Sequence, residues 1–133
     1  GSAAILLAGC ANLHTGHAGQ TLGVTLTGSE EVPPVATAAW GNGMITIGSD
    51  MSVSGVVTVA GLAPFAAHIH VGARGVNGPI TVGLVKTINN DWSVPAGAKI
   101  TAADYLAFGD GGLYLNVHTA ANKGGEIRGQ LQP

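Results

Sequence analysis

Apolar and polar residues alternate through the stretch L-Y-L-N-V-H-T (113–119) and, Gly129 apart, through the stretch E-I-R-G-Q-L (126–131). Strand side chains point to opposite faces in turn, so this period of two predicts a pair of half-buried β-strands. Leu113, Leu115 and Val117 take one face, and Tyr114, Asn116 and His118 the other. In the second stretch Ile127 and Leu131 suit a core, whereas Glu126, Arg128 and Gln130 do not. The A-A-N-K-G-G between them (120–125) has the composition of a hairpin loop. If Thr119 lies opposite Gly125, every polar residue meets a polar one: His118 with Glu126, Asn116 with Arg128, Tyr114 with Gln130.

The rest of the chain extends the pattern. Further strands are expected at Thr21–Gly28, Ala36–Ile47, Ser52–Ala60, Ala66–Val71, Ile80–Thr87 and Asn90–Val94, punctuated by Gly, Asn, Asp and Pro. Eight short strands without a strong amphipathic helix predict an all-β, Greek-key-like antiparallel sandwich or barrel. One exception is T-A-A-D-Y-L-A-F (101–108), where Thr101 as N-cap and Asp104 three residues on predict a short helical turn. With 133 residues the chain supports one domain. Only 9% of residues are charged, five basic against seven acidic, so there is no basic footprint for nucleic acid.

The N-terminal segment reads differently. Residues 3–10, A-A-I-L-L-A-G-C, end like a bacterial lipoprotein signal peptide, with Cys10 as the lipidated residue. Gly1-Ser2 reads as a cloning scar in place of a start residue and charged leader. Residues 11–20 then form a tether and residues 21–133 the domain. An exported protein follows, periplasmic or anchored in the outer membrane, touching the membrane only through that lipid. Cys10 is the chain's one cysteine, which rules out an internal disulfide.

In A-A-H-I-H-V (66–71), His68 and His70 share one face, with Ala67, Ile69 and Val71 on the core side. Their Cα atoms stand about 7 Å apart, close enough for both rings to reach one ion at about 2 Å. With His118 they make a three-imidazole metal site. No thiolate and no carboxylate competes for the ion, so copper is favoured, with zinc as the alternative. Glu126 is expected to orient the unligated nitrogen of His118, with Tyr114, Asn116 and Arg128 packed behind the site. His14 and His17, spaced H-x-x-H in the tether, are possible additional ligands. A hydrogen-bonded network that fastens loops, in a module that binds another protein or itself, is the competing reading of the same polar residues. An enzyme is disfavoured, because neither a nucleophile motif nor a general base is identifiable. Glu30-Glu31, followed by Pro33-Pro34, reads as an extended strand end.

Five ordered motifs carry a family likeness: T-G-S-E-E-V-P-P-V (27–35), G-L-A-P-F-A-A-H-I-H-V-G (61–72), N-G-P-I (77–80), Y-L-N-V-H-T (114–119) and G-G-E-I-R-G-Q-L (124–131). The chain from about Thr21 to Leu131 resembles the CHRD domain, the module repeated in chordin. That resemblance implies an extracytoplasmic β-sandwich. The order H-x-H then V-H is also similar to the copper ligands of Cu,Zn superoxide dismutases. That likeness is partial, since residues 72–79 (G-A-R-G-V-N-G-P) hold no His or Asp for a zinc loop.

Overall fold

The computed structural model describes residues 19–133. Nine strands form one antiparallel sheet: β1 (Gln20–Thr27), β2 (Trp40–Ile47), β3 (Val53–Ala60), β4 (Pro64–Val71), β5 (Ile80–Gly83), β6 (Val85–Lys86), β7 (Asp91–Ser93), β8 (Leu113–Thr119) and β9 (Ile127–Leu131). Their spatial order is β5-β4-β8-β9-β1-β2-β3-β7-β6. The two edge strands are consecutive in the chain and separated only by Leu84, whose amide donates to the Ala67 carbonyl of β4 at 2.9 Å. One continuous stretch therefore pairs with β4 at its start and with β7 at its end. The sheet is thereby almost closed into a barrel, which removes the unpaired edges that invite aggregation.

The expected all-β, Greek-key-like architecture is observed. Strands distant in sequence lie side by side, β1 against β9 and β4 against β8. Gln20, read as the last tether residue, already belongs to β1. The expected strand at residues 36–47 begins only at Trp40. Residues 28–39 leave the sheet through a 3-10 turn (Gly28–Glu30), and Thr37 then donates to the Glu126 carboxylate at 2.7 Å. Among the described residues no helix is long and apolar enough to cross a membrane.

The inner face of the barrel is built by alternation. Leu26, Ile45, Val57, Ala67, Ile69, Leu115, Val117 and Ile127 are all fully buried there. The helix α1 (Ala102–Gly109) starts where expected, with Thr101 Oγ1 accepting from the Asp104 amide at 3.1 Å. Asp104 in turn accepts from Thr81 Oγ1 at 2.7 Å, tying the helix to β5.

Strand β8 departs from a half-buried strand, because all seven of its residues are buried. The segment 72–79 lies over its outer face and is held there by polar side chains. Arg128 donates to the carbonyls of Ala73 (2.9 Å) and Val76 (3.0 Å), and Gln130 donates to Gly72 (2.7 Å). Gly78 fits because it lacks a side chain: a Cβ there would fall on the Val71 carbonyl. Gly78→Ala is expected to cost about 1–3 kcal/mol, the range for overpacking a close contact. Urea denaturation checks this, and a loss below about 0.5 kcal/mol would show that the segment yields freely.

Candidate metal centre

Strands β4 and β8 are antiparallel neighbours, with Ala66 opposite His118, His68 opposite Asn116 and His70 opposite Tyr114. Cross-strand partners share a face, so all three histidines emerge on the outer side of the barrel. Each core-facing residue between them, Ala67, Ile69 and Val117, is fully buried on the inner side. The small side chain of Ala66 leaves room beside His118, whose ring centroid lies 4.7 Å from that of His68 and 5.8 Å from that of His70. One nitrogen from each ring lies within 4.8 Å of the others. Two nitrogens bound at about 2.0–2.1 Å to one ion can stand no more than about 4.2 Å apart. Small rotations of the rings would bring the set within reach of a single cation.

Backbone carbonyls fix the protonation of two rings. His118 Nδ1 lies 2.9 Å from the Lys123 carbonyl and His70 Nδ1 lies 2.9 Å from the Gly78 carbonyl. A carbonyl only accepts, so both Nδ1 atoms carry the proton and, in the neutral rings, both Nε2 atoms keep a lone pair. His118 Nε2 spends its lone pair on His68 Nδ1, 2.9 Å away. His70 Nε2 is buried and has no hydrogen-bond partner. An orphaned imidazole lone pair costs free energy in a folded protein unless something occupies it. Burial, and then the neighbouring His118 and His70, push the pKa of His68 down to about 4. Burial, helped by the neighbouring His118, also lowers that of His70, against the opposing pull of the Gly78 carbonyl and of the Asn116 side chain. Both rings are neutral at pH 7, as metal ligands must be.

The polar residues around the histidines form layers. The Tyr114 ring stacks on His70 at 4.8 Å with 3° between the planes, and the Arg128 guanidinium lies 3.5 Å over the other side of Tyr114. The Tyr114 hydroxyl accepts from the Gly78 amide at 3.0 Å. Thus Tyr114 and Arg128 hold the segment whose carbonyl orients His70. Asn116, on the same face of β8 as His118 and opposite His68 of β4, donates to the Gly124 carbonyl weakly, at 3.4 Å.

The β8–β9 register matches the expected one, with Tyr114 opposite Gln130 and Asn116 opposite Arg128. One role within it moves elsewhere. Glu126 does not orient His118, because its carboxylate accepts from Thr119 (2.7 Å), Thr37 (2.7 Å) and Asn122 (3.3 Å). The hairpin loop folds back and presents the Lys123 carbonyl to His118 instead. A main-chain acceptor carries no side-chain signature, so neither this carbonyl nor that of Gly78 was readable from residue types. Glu31 was read as part of a strand end, yet it is 4% exposed and buried beside Gly125. Cys10, His14 and His17 lie outside the described residues.

A family model for the CHRD domain matches residues 22–131, almost all of the barrel. The chain belongs to the CHRD domain family. No curated protein and no solved structure matches it. The histidines of this CHRD domain lie inside the matched span, on two strands that the family model covers.

Proposed function

We propose that this CHRD domain binds one copper ion through His68, His70 and His118, in an exported protein that stores, buffers or delivers the metal. The observation that carries this reading is the buried, unpartnered His70 Nε2, set among two further imidazoles within 4.8 Å. Copper is favoured over zinc because an all-imidazole set suits both ions and copper stands highest in the affinity order of first-row divalent ions. The L-A-G-C end of residues 7–10 supports export and lipid anchoring at Cys10. Elemental analysis of protein purified without a histidine tag, followed by Cu(II) titration under EPR, tests the assignment. About one ion per chain, with nitrogen hyperfine structure from imidazole, is expected. Absence of a stoichiometric Cu(II) or Zn(II) complex after reconstitution would end it.

The depressed pKa of His68 gives a further expectation. Because it is depressed towards about 4, protons compete for that ring only as the pH falls towards that value. Cu(II) binding at pH 7.5 should therefore release less than about half a proton per ion, read by calorimetry in buffers of different ionisation enthalpy. Release of one proton or more that persists below about pH 6.5, where a metal-bound water keeps its protons, would show that a ring is charged in the free protein.

A second reading is favoured by one surface. Met44 and Val56 are paired across β2 and β3 and exposed, with Trp40 on the same side of β2 and half exposed. Such a patch suits self-association by a structural module. Sedimentation with and without chelator separates the two readings: assembly that ignores metal supports the module.

A further inference from the structure

Asn116 has all three histidines as neighbours on its own face of the sheet. It stands opposite His68, two residues before His118 on β8, and diagonal to His70, which pairs with Tyr114. Opposed and diagonal side chains on one face of an antiparallel pair come within reach of each other. Asn116 is 2% exposed and His70 8%, so neither has solvent to complete its hydrogen bonds. Among the described residues four buried side-chain polar atoms have no hydrogen-bond partner, and two of them, Asn116 Oδ1 and His70 Nε2, belong to this pair of neighbours.

The surroundings of the Asn116 amide set its orientation. Its nitrogen faces the Gly124 carbonyl at 3.4 Å and acts on the Glu31 carboxyl as a hydrogen-bond donor. A carbonyl cannot donate, so an amide turned the other way would set two acceptor oxygens against each other. The oxygen therefore belongs on the side of the rings, and the side chain acts on His70 as an acceptor does. His70 Nε2 is an acceptor too, because the ring proton lies on Nδ1 against the Gly78 carbonyl. Two buried lone pairs side by side cannot satisfy one another, and both cost free energy until a donor or a cation meets them. Arg128, opposite Asn116 on β9, gives its terminal nitrogens to Ala73, Val76 and Gln130 instead.

We propose that Asn116 Oδ1 is the fourth ligand of the copper ion, a weak oxygen donor beside the three imidazoles. This rests on the three-histidine reading given above. An amide or main-chain oxygen can serve copper as a weak axial ligand where stronger donors hold the ion. Here the Gly124 carbonyl and Glu31 hold the nitrogen end, so the oxygen is oriented before the ion arrives.

The test uses the full chain, grown with asparagine carrying carbon-13 at the side-chain carboxamide and loaded with Cu(II). Electron–nuclear double resonance should show a carbon-13 coupling to the copper that Asn116→Ala lacks, because a bound oxygen passes spin density to the next atom. Asn116→Ala should also weaken Cu(II) binding about 10-fold. Asn116→Asp, which keeps an oxygen in the same place, should bind at least as tightly as the wild type. Wild-type protein that takes up no Cu(II) would overturn the three-histidine reading and this proposal with it. Copper held by imidazole nitrogen without the carbon-13 coupling would overturn the fourth ligand alone. So would unchanged affinity in folded Asn116→Ala. Should Asn116→Ala fail to fold, Asn116→Asp supplies the control, since it lacks the labelled carboxamide.

Discussion

Replacing His68 and His70 together by alanine should lower Cu(II) affinity by at least about 100-fold, leaving one ring that cannot hold an ion alone. The two substitutions act on the ion in different ways. His68→Ala removes the partner of His118 Nε2, and His70→Ala removes the buried nitrogen that has no other role. The fold should survive, since both side chains stand on the outer face and the core residues Ala67 and Ile69 are untouched. The cost is expected near 1–3 kcal/mol, from the Gly78 carbonyl left without its donor and the stacking lost from Tyr114. Metal linkage supplies a second readout. At a free ion concentration 100 times Kd, a bound ion adds about 2.7 kcal/mol to stability. Chelator should therefore lower the Tm of the wild type and leave that of the double variant unchanged. Cu affinity equal to that of the wild type, with circular dichroism showing an intact fold, would remove the site from these strands.

How much of this was legible follows from what a period of two can report. Alternation in residues 113–119 and 66–71 showed which side chains share a face, and polar matching across the hairpin gave the β8–β9 register. Alternation could not show that β4 and β8 are neighbours, because that pairing spans some fifty residues and no local pattern encodes it. Nor could it show that the polar face of β8 is covered. Polar outer residues imply solvent on the simplest reading, and here Asn116, His118 and Arg128 are buried, with residues 72–79 laid over the strand and bonded to Arg128 and Gln130. That cover turns Arg128 and Gln130 from surface residues into anchors. Glu31, whose carboxyl is buried, looked like the end of a strand because Pro33-Pro34 follows it. The short break at Leu84, which lets one stretch of chain close the sheet, has no marker beyond Gly83 before it.

Arg128→Met should destabilise the domain by about 2–5 kcal/mol, because three buried acceptors lose a charged donor at once. Methionine keeps most of the length and none of the hydrogen bonds. The carbonyls of Ala73 and Val76 would then be buried without donors, and Gln130 Oε1 would lose its own at 3.1 Å. Tyr114 would lose the cation over its ring, and Glu31 the nearby positive charge that favours its ionised form. Lysine at this position is the informative comparison. It restores the charge, but a single ammonium does not reproduce the planar fork that reaches two carbonyls and Gln130 at once. Arg128→Lys should therefore recover part of the stability, and a full recovery would mean that charge alone mattered. The consequence reaches the histidines through the chain and not through contact. Arg128 holds residues 73 and 76, that segment carries the Gly78 carbonyl, and Gly78 fixes which nitrogen of His70 keeps its lone pair. Cu(II) affinity in Arg128→Met should fall about 10-fold even where the protein remains folded, the scale expected when a group that orients a ligand is lost. Chemical denaturation and metal titration on the same sample separate the two effects. Destabilisation below about 1 kcal/mol would show that residues 72–79 are held by Gln130 and Tyr114 without the guanidinium.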